Sequence, residues 1–228
     1  MALYSDFHSR YRQKINQYGG IMAYAEHKNQ GAVGAMVGRI AKHFRTGSQI
    51  LEVGTGSGVL AASLAKKGFQ VTAIDVSQEM IKIAEECCRV LKADVKLFVL
   101  DIFNVSDYFG VRKWDCVVSY SLMQHFDNAR IISALRLQKS VGKKVIFCVP
   151  GAAIAQRYKK KEIGSERYYT LNQWLDILRQ GGFSCAKVYG FGFGKISCYH
   201  FVPNVISYSP VLSRWLARFA GYYEFWLE

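Results

Sequence analysis

The stretch from residue 50 to residue 102 combines acidic side chains with a glycine-rich turn, and this spacing could bind a cationic ligand. Glu52 stands two positions before a run of three alternate glycines. These are Gly54, Gly56 and Gly58. Glycine permits a tight turn and leaves room for a ligand against the backbone. A phosphate-binding loop has no use for a carboxylate at this position, whereas a positively charged ligand does.

The spacing of the glycines disfavours two other kinds of ligand loop. A dinucleotide-binding loop needs a third glycine or alanine five positions after the first, and Val59 occupies that position. A nucleoside triphosphate loop ends in Gly-Lys-Ser/Thr, and this triplet does not occur in the sequence. The turn therefore predicts neither a dinucleotide nor a nucleoside triphosphate.

A second acid follows a short strand. Residues 70–74 are largely apolar and β-branched, which indicates a buried strand, and Asp75 comes directly after them. A carboxylate about 20 residues after a glycine turn, at the end of a strand, is placed to accept both hydroxyls of a ribose. Ser77 predicts the start of a helix. The apolar face of that helix is formed by Met80, Ala84, Cys87, Cys88 and Leu91.

Strands and helices alternate along residues 48–150, which predicts a parallel sheet with helices on both faces. Further strands are predicted at 95–100, which ends at Asp101, at 114–119 and at 143–149. Ligands of such sheets bind beyond the carboxyl ends of the strands. The acids and the glycine turn are expected to meet at that edge.

These motifs, in this order, resemble those of class I S-adenosylmethionine-dependent methyltransferases. Residues 52–58 match the acid-x-Gly-x-Gly-x-Gly pattern of that family, and residues 115–126 resemble the segment at and after its fourth strand. The resemblance covers roughly residues 48–190. It is most similar to the branch that methylates quinones, lipids and other metabolites, on residues 144–150, 169–174 and 181–183.

The resemblance implies a fold and a domain organisation. The fold is α/β, a Rossmann-like doubly wound sheet of seven strands in the order 3-2-1-4-5-7-6, with the last strand antiparallel. Strand six is expected at 184–189 and strand seven at 222–227. A single methyltransferase domain, 1–228, would comprise a helical N-terminal cap (1–47), a cofactor-binding core (48–190) and an insertion before the last strand (191–220). Two apolar stripes predict helices in the cap: Leu3, Phe7, Tyr11, Ile15, Tyr18, and Val33, Met36, Val37, Ile40, Phe44.

The resemblance also implies that the protein binds S-adenosyl-L-methionine. Glu52 is expected to order the turn or to bind the methionine ammonium, Asp75 to hold the ribose, and Asp101 with Ile102 to define the adenine slot. The full set of expected cofactor residues is Glu52, Gly54, Thr55, Gly56, Gly58, Asp75, Val76, Met80, Asp101, Ile102 and Ser119. Tyr4, His8 and Tyr11 are expected to close over the cofactor from the N-terminal helix.

Two residues after the fourth strand are candidates for catalysis, His125 and Tyr120. The ordinary pKa of histidine, about 6.5, suits proton transfer at neutral pH, so His125 is the candidate general base, with Ser119, Tyr120 and Gln124 as neighbours of the methionine tail or the acceptor. The expected reaction moves a methyl group to an O, N or C atom of a small-molecule acceptor by direct in-line displacement. The Asn/Asp-Pro-Pro-aromatic motif of enzymes that methylate nucleic-acid bases is absent after the fourth strand.

Composition leaves alternatives open. The 228 residues carry a formal net charge of +13, which fits an anionic or apolar small molecule, an RNA or protein acceptor, or peripheral membrane contact through residues 211–219. A non-catalytic scaffold of the same fold is a further alternative.

The 6 cysteines are expected to be reduced and no metal is expected. No apolar run is long enough to span a membrane and no secretory signal is recognised, so a cytoplasmic location is expected. The oligomeric state is left open.

Overall fold

The computed structural model describes residues 7–110, 114–153, 166–191 and 220–227. The strands are β1 (Gln49–Val53), β2 (Gln70–Asp75), β3 (Val95–Val99), β4 (Trp114–Tyr120), β5 (Gly142–Pro150), β6 (Cys185–Phe191) and β7 (Tyr222–Leu227). They form one sheet in the order β3-β2-β1-β4-β5-β7-β6, and β7 is antiparallel to both β5 and β6. The predicted Rossmann-like fold is therefore confirmed, including the antiparallel last strand.

Helices fill most of the connections between the described strands. They are α1 (Phe7–Gln17), α2 (Ile21–Asn29), α3 (Ala32–His43), α4 (Val59–Ala65), α5 (Gln78–Leu91), α6 (Val105–Phe109), α7 (Asn128–Val141) and α8 (Leu171–Gln180). Short 3₁₀ turns lie at Ile102–Asn104 and Met123–His125. The chain divides into two compact units, the first made of residues 1–120 and 137–143, the second of residues 121–136 and 144–228.

The parallel strands of the first unit end at the same edge. β1 pairs with β2 and with β4, and β2 pairs with β3. Val53 is in register with Ile74, and the amides of Gly54 and Thr55 both donate to the Ile74 carbonyl, at 2.9 and 3.0 Å. The glycine turn therefore begins level with the carboxyl end of β2.

The N-terminal part of the first unit differs from the prediction of two helices, because three are present. The missed helix, α2, buries Ile21, Tyr24 and Ala25 on one face, but apolar Met22 is exposed on another, so the sequence shows little contrast between faces. Tyr18, predicted on the first stripe, lies past the end of α1 and is 42% exposed. The prediction was wrong there because Gly19 and Gly20 follow with positive φ and end the helix.

Other stripe residues follow the prediction. Ile15 is buried, and so are the members of the second stripe that lie on α3. Those are Val33, Met36, Val37 and Ile40. Leu3 and Tyr4 lie outside the described residues. α5 buries its predicted apolar face completely, and the Ser77 hydroxyl caps it by accepting a hydrogen bond from the Met80 amide.

Aromatic packing organises the second unit. Phe147 on β5 stacks on Phe225 of β7 with ring centroids 4.8 Å apart, and Trp174 of α8 contacts both rings. Thr170 begins α8 with a capping box, in which its side chain accepts from the Gln173 amide and the Gln173 side chain accepts from the Thr170 amide. The helix is thereby fixed at the position that inserts Trp174.

Several predicted features fall on residues that are not described. The insertion at 191–220, its amphipathic stretch at 211–219 and most of the basic loop at 150–170 lie outside the described residues. None of the described helices is long and apolar enough to cross a membrane.

Trp174→Ala is expected to destabilise the protein by about 3–5 kcal/mol, because it removes a fully buried aromatic side chain from the Phe147–Phe225 cluster. Urea denaturation followed by circular dichroism measures the loss. Asn172→Ala, an exposed change on the same helix, should stay within about 0.5 kcal/mol of the parent. Equal effects of the two changes would contradict the assignment of this core.

Candidate functional site

The carboxylate of Asp75 joins the two turns at the edge of the first unit. Its Oδ2 atom accepts a hydrogen bond from the Gly56 amide at 2.9 Å, and its Oδ1 atom accepts one from the Ser77 amide at 3.0 Å. Burial raises the pKa of Asp75, and these hydrogen bonds oppose the rise. The Val76 amide is a third backbone donor, and an ionised carboxylate has about four acceptor sites, so Asp75 can still accept a hydroxyl group of a ligand.

Glycine is required at Gly58 and at Gly56 for different physical reasons. Gly58 begins α4 with φ +75°, and a Cβ atom there would lie 2.8 Å from the Ala84 Cβ of α5. Gly56 has φ +54°, yet a Cβ atom there would meet the Tyr11 hydroxyl no closer than 3.4 Å and the Met80 Cε at 3.7 Å. Gly58 therefore permits helix packing, whereas Gly56 provides the left-handed backbone of the turn in a space bounded by Tyr11 and Met80.

Glu52 is a buried carboxyl group on β1, only 2% exposed. The Thr55 hydroxyl donates to its Oε2 atom at 2.7 Å, so Glu52 does order the glycine turn, as one of its two expected roles requires. Burial raises the pKa of Glu52 to about 8, against the hydrogen bond from Thr55, and the nearby Asp75 adds to the rise. A cation beside Glu52 would favour its ionised form.

The residues expected around a nucleobase follow β2, where Val76 and Met80 lie, and β3, where Asp101 and Ile102 lie. Val76 is an apolar side chain that is 51% exposed, which fits a surface left for a flat apolar ligand. Ile102 and Met80 are buried. Asp101 caps the 3₁₀ turn, since its Oδ1 atom accepts from the Phe103 amide at 3.0 Å. The role of Asp101 toward adenine stays a prediction.

The end of β4 carries a polar atom without a partner in the described part of the chain. Ser119 is 1% exposed, and its hydroxyl makes no hydrogen bond to any described residue. Buried polar groups are usually satisfied. The next residue, Tyr120, lies under the Lys28 ammonium of α2, which is 4.7 Å from the ring centroid.

The N-terminal helices contact the glycine turn more extensively than the sequence indicates. Tyr11 was expected here, and its hydroxyl lies near Gly56. Tyr24 was not expected. It makes a hydrogen bond with the Ser57 side chain, while burial raises its pKa to about 12. An ion pair between Arg12 and Glu86 joins α1 to α5. Tyr24 and Lys28 were missed because they lie on α2, whose apolar residues are spread over buried and exposed faces.

His125 and Gln124 belong to the second unit. His125 lies in the 3₁₀ turn after β4, where burial lowers its pKa, while the Glu166 carboxylate and a hydrogen bond with the Ser121 backbone oppose the decrease. The Gln124 side chain donates to the Ser121 carbonyl at 2.9 Å. Glu166 was missed by sequence reasoning, since nothing in the spacing connects it with His125.

Comparison with known proteins supports the fold. Residues 50–144 match the family model described as a methyltransferase domain. This part of the chain is a methyltransferase domain. A solved methyltransferase structure, magnesium protoporphyrin IX methyltransferase of Synechocystis with bound SAH, superimposes with a TM-score of 0.68 at 16% identity, covering 99% of this chain and 97% of that one. At this identity the likeness shows the fold alone.

Curated methyltransferases match shorter parts of the chain. A release factor glutamine methyltransferase of Koribacter versatilis is 40% identical over 73 residues, 31% of this chain and 25% of that protein. A ubiquinone biosynthesis O-methyltransferase of Methylococcus capsulatus is 25% identical over 169 residues, 66% of this chain and 69% of that protein. The chain thus spans between a quarter and about two thirds of the length of these two relatives.

The free energy of unfolding of the parent protein is expected to fall as pH rises. In Glu52→Gln this decrease is expected to be absent. The ordinary pKa of Glu52 is 4.5 and burial raises it to about 8. Between these values the folded state holds a proton that the unfolded state has lost, so rising pH favours unfolding until about pH 8 and has no further effect through this group above it. Urea midpoints measured from pH 5 to pH 8.5 should fall more steeply for the parent than for Glu52→Gln.

The matched control is Glu85→Gln, which changes an exposed carboxyl group on α5. It should leave the pH dependence of the parent unchanged. If Glu52→Gln follows the same curve as the parent, the carboxyl group is not held protonated by burial.

Proposed function

We propose that the protein is an S-adenosylmethionine-dependent methyltransferase that acts on a small-molecule acceptor. The observation that carries this proposal is the Asp75 carboxylate, which accepts from the Gly56 amide and lies next to the half-exposed Val76. Together these groups offer acceptors for ribose hydroxyls, a backbone surface and an apolar wall. The unpartnered Ser119 hydroxyl adds a polar group at the end of β4.

The residues present fit this cofactor. Asp75 would hold the ribose, Val76 and Ile102 would contact the adenine, and Glu52 would favour the methionine ammonium through its charge. When bound, S-adenosylmethionine supplies a methyl group on a positively charged sulfur, which becomes a neutral thioether after transfer. The buried acids favour a cationic ligand over an anionic one, because each cation placed nearby lowers the cost of their ionisation.

A small-molecule acceptor is supported by the relatives that match most of their own length. The Methylococcus capsulatus relative is named as an O-methyltransferase of ubiquinone biosynthesis, and the Synechocystis structure is named for magnesium protoporphyrin IX. Both names describe small-molecule substrates. The acceptor atom itself is not specified by these likenesses.

His125 is the proposed general base for an acceptor that must lose a proton. The lowered pKa of His125 keeps the ring neutral at pH 7, and a neutral ring has a nitrogen lone pair that can accept the proton. The O–H bond of the acceptor breaks, its electron pair remains on oxygen, and the proton moves to the ring. Tyr120 is proposed to contact the acceptor beside Lys28.

Isothermal titration calorimetry tests the cofactor proposal directly. S-adenosylmethionine and S-adenosylhomocysteine are each expected to bind at one site per chain. Absence of binding for both would favour the non-catalytic scaffold. A screen of metabolite extracts with methyl-labelled cofactor would then identify the acceptor by the mass of the labelled product.

Asp75→Asn is expected to weaken cofactor affinity by about tenfold to a hundredfold, because each hydrogen bond to a charged group contributes about 1.5–3 kcal/mol. Asparagine retains one oxygen for the backbone amides, so most of the stability should remain. Asp75→Ala removes both acceptors and should also destabilise the turns. Calorimetry and thermal denaturation separate the two effects.

Asp94→Asn, an exposed acid just before β3, is the control and should bind the cofactor as the parent does. Parent-like affinity in Asp75→Asn would overturn the ribose assignment.

An RNA acceptor is a second candidate, favoured by the formal net charge of +13. Exposed cations such as Arg10, Lys42 and Arg45 occur on or beside α1 and α3. Affinity for a structured RNA that falls steeply with salt would support it. Transfer of the labelled methyl group to RNA, and not to small molecules, would decide for this alternative.

A further inference from the structure

In the second unit, the segment just before α8 is bonded to the turn that carries His125. The Arg167 amide donates to the Gln124 carbonyl at 2.8 Å. Beside it, the Tyr169 hydroxyl donates to the Asn128 Oδ1 atom at 2.6 Å. Two hydrogen bonds thus fix residues 166–170 against the turn on both sides of His125.

Glu166 is the first described residue of this segment, and it is held by a neighbour. The Tyr168 hydroxyl donates to the Glu166 carboxylate. Burial raises the pKa of Tyr168, and the hydrogen bond and the charge of Glu166 add to the rise. Tyr168 therefore remains protonated at neutral pH and acts as a permanent donor that keeps the carboxylate in place.

The opposite side of the turn is fixed by an unusual backbone conformation. Ser121 has φ +55°, which costs a residue other than glycine about 1–3 kcal/mol. Its amide donates to the Cys148 carbonyl of β5 at 2.8 Å, and its carbonyl accepts from the Gln124 side chain. The same backbone makes a hydrogen bond with His125. Such strain persists only where surrounding contacts impose it.

We propose that Glu166, held by Tyr168, is a positioning residue that orients the His125 ring and stabilises it when it carries a proton. This inference rests on the proposed function, in which His125 takes a proton from the acceptor. After that step the ring is positive, and the carboxylate is the negative group that faces it. No other group gains or loses a proton in this step, since the proton stays on His125 until solvent removes it.

Two different partners therefore act on the ring. The Ser121 backbone fixes one ring nitrogen by a hydrogen bond, while Glu166 acts through its charge. Among the described residues, Tyr168 donates to Glu166, and Tyr222 in turn acts on Tyr168 through its charge. Burial keeps His125 neutral before the reaction, and Glu166 favours the protonated state that follows it. A base with this pair of influences can accept a proton and release it again.

Nuclear magnetic resonance titration of the His125 ring tests the inference. The sequence has 5 histidines, and the His125→Gln variant assigns the signal. In Glu166→Gln the pKa of His125 should fall by about one unit, because a nearby opposite charge is lost. Glu166→Asp keeps the charge and should restore part of the parent value. An unchanged pKa in Glu166→Gln would overturn the proposal.

Two further variants distinguish positioning from a general effect of charge or fold. Asp176→Asn removes an acid of the same unit that is paired with Arg179, and it should leave the pKa of His125 unchanged. Tyr168→Phe should alter that pKa in the parent but have no further effect in Glu166→Gln, because Tyr168 acts through Glu166. A further change of the His125 pKa when Tyr168→Phe is added to Glu166→Gln would contradict the inference that Tyr168 acts through Glu166.

The cofactor titration keeps the two proposals separate. If Glu166→Gln shifts the pKa of His125 but the parent protein does not bind the cofactor, the proposed function is contradicted and the effect of Glu166 on His125 stands. If the parent binds the cofactor but Glu166→Gln leaves the pKa of His125 unchanged, only the role of Glu166 is contradicted.

Discussion

The hydrogen bonds of Asp75 are the constraint on which the candidate site depends. This carboxylate lies at the end of β2, yet one of its oxygens accepts from the turn after β1 and the other from the turn before α5. Parallel pairing brings the two strand ends level, so one carboxylate can offer an oxygen to each of the two turns. The side chain that would contact a ribose also holds the backbone of Gly56 in place.

A second consequence is electrostatic. Glu52 and Asp75 are both removed from water, and the pKa of each is raised by burial. Two such acids in one unit are tolerated because Thr55 and backbone amides donate to them. They also favour ligands with positive charge, since a nearby cation replaces the interaction with water that the buried carboxylates have lost. The chain combines a net charge of +13 with a site of buried acids. Its overall charge is therefore a poor guide to what this site binds.

Local patterns made most of the sheet and its carboxyl edge predictable. Strands, their order along the chain and the cap at Ser77 each follow from neighbouring residues, and β7 falls at the predicted Tyr222–Leu227. α2 was missed because its buried stripe is short and apolar Met22 lies on an exposed face, so apolar and polar residues are not clearly separated. The sequence also does not predict that the buried Ser119 hydroxyl has no hydrogen-bond partner among the described residues. A buried serine hydroxyl ordinarily has such a partner.

The candidate residues of the first unit and the surroundings of His125 in the second unit differ in how far a local pattern predicts them. Asp75 and Asp101 lie at the ends of strands, so pairing in the sheet sets the distance between them and their spacing along the chain can be recognised. The surroundings of His125 depend on a strained residue, Ser121, and on a carboxylate that is distant along the chain, Glu166. Neither the conformation of Ser121 nor the approach of Glu166 is encoded by a local pattern. The surroundings of His125 are thus built from contacts between loops, and such contacts can differ among proteins that retain the same glycine turn.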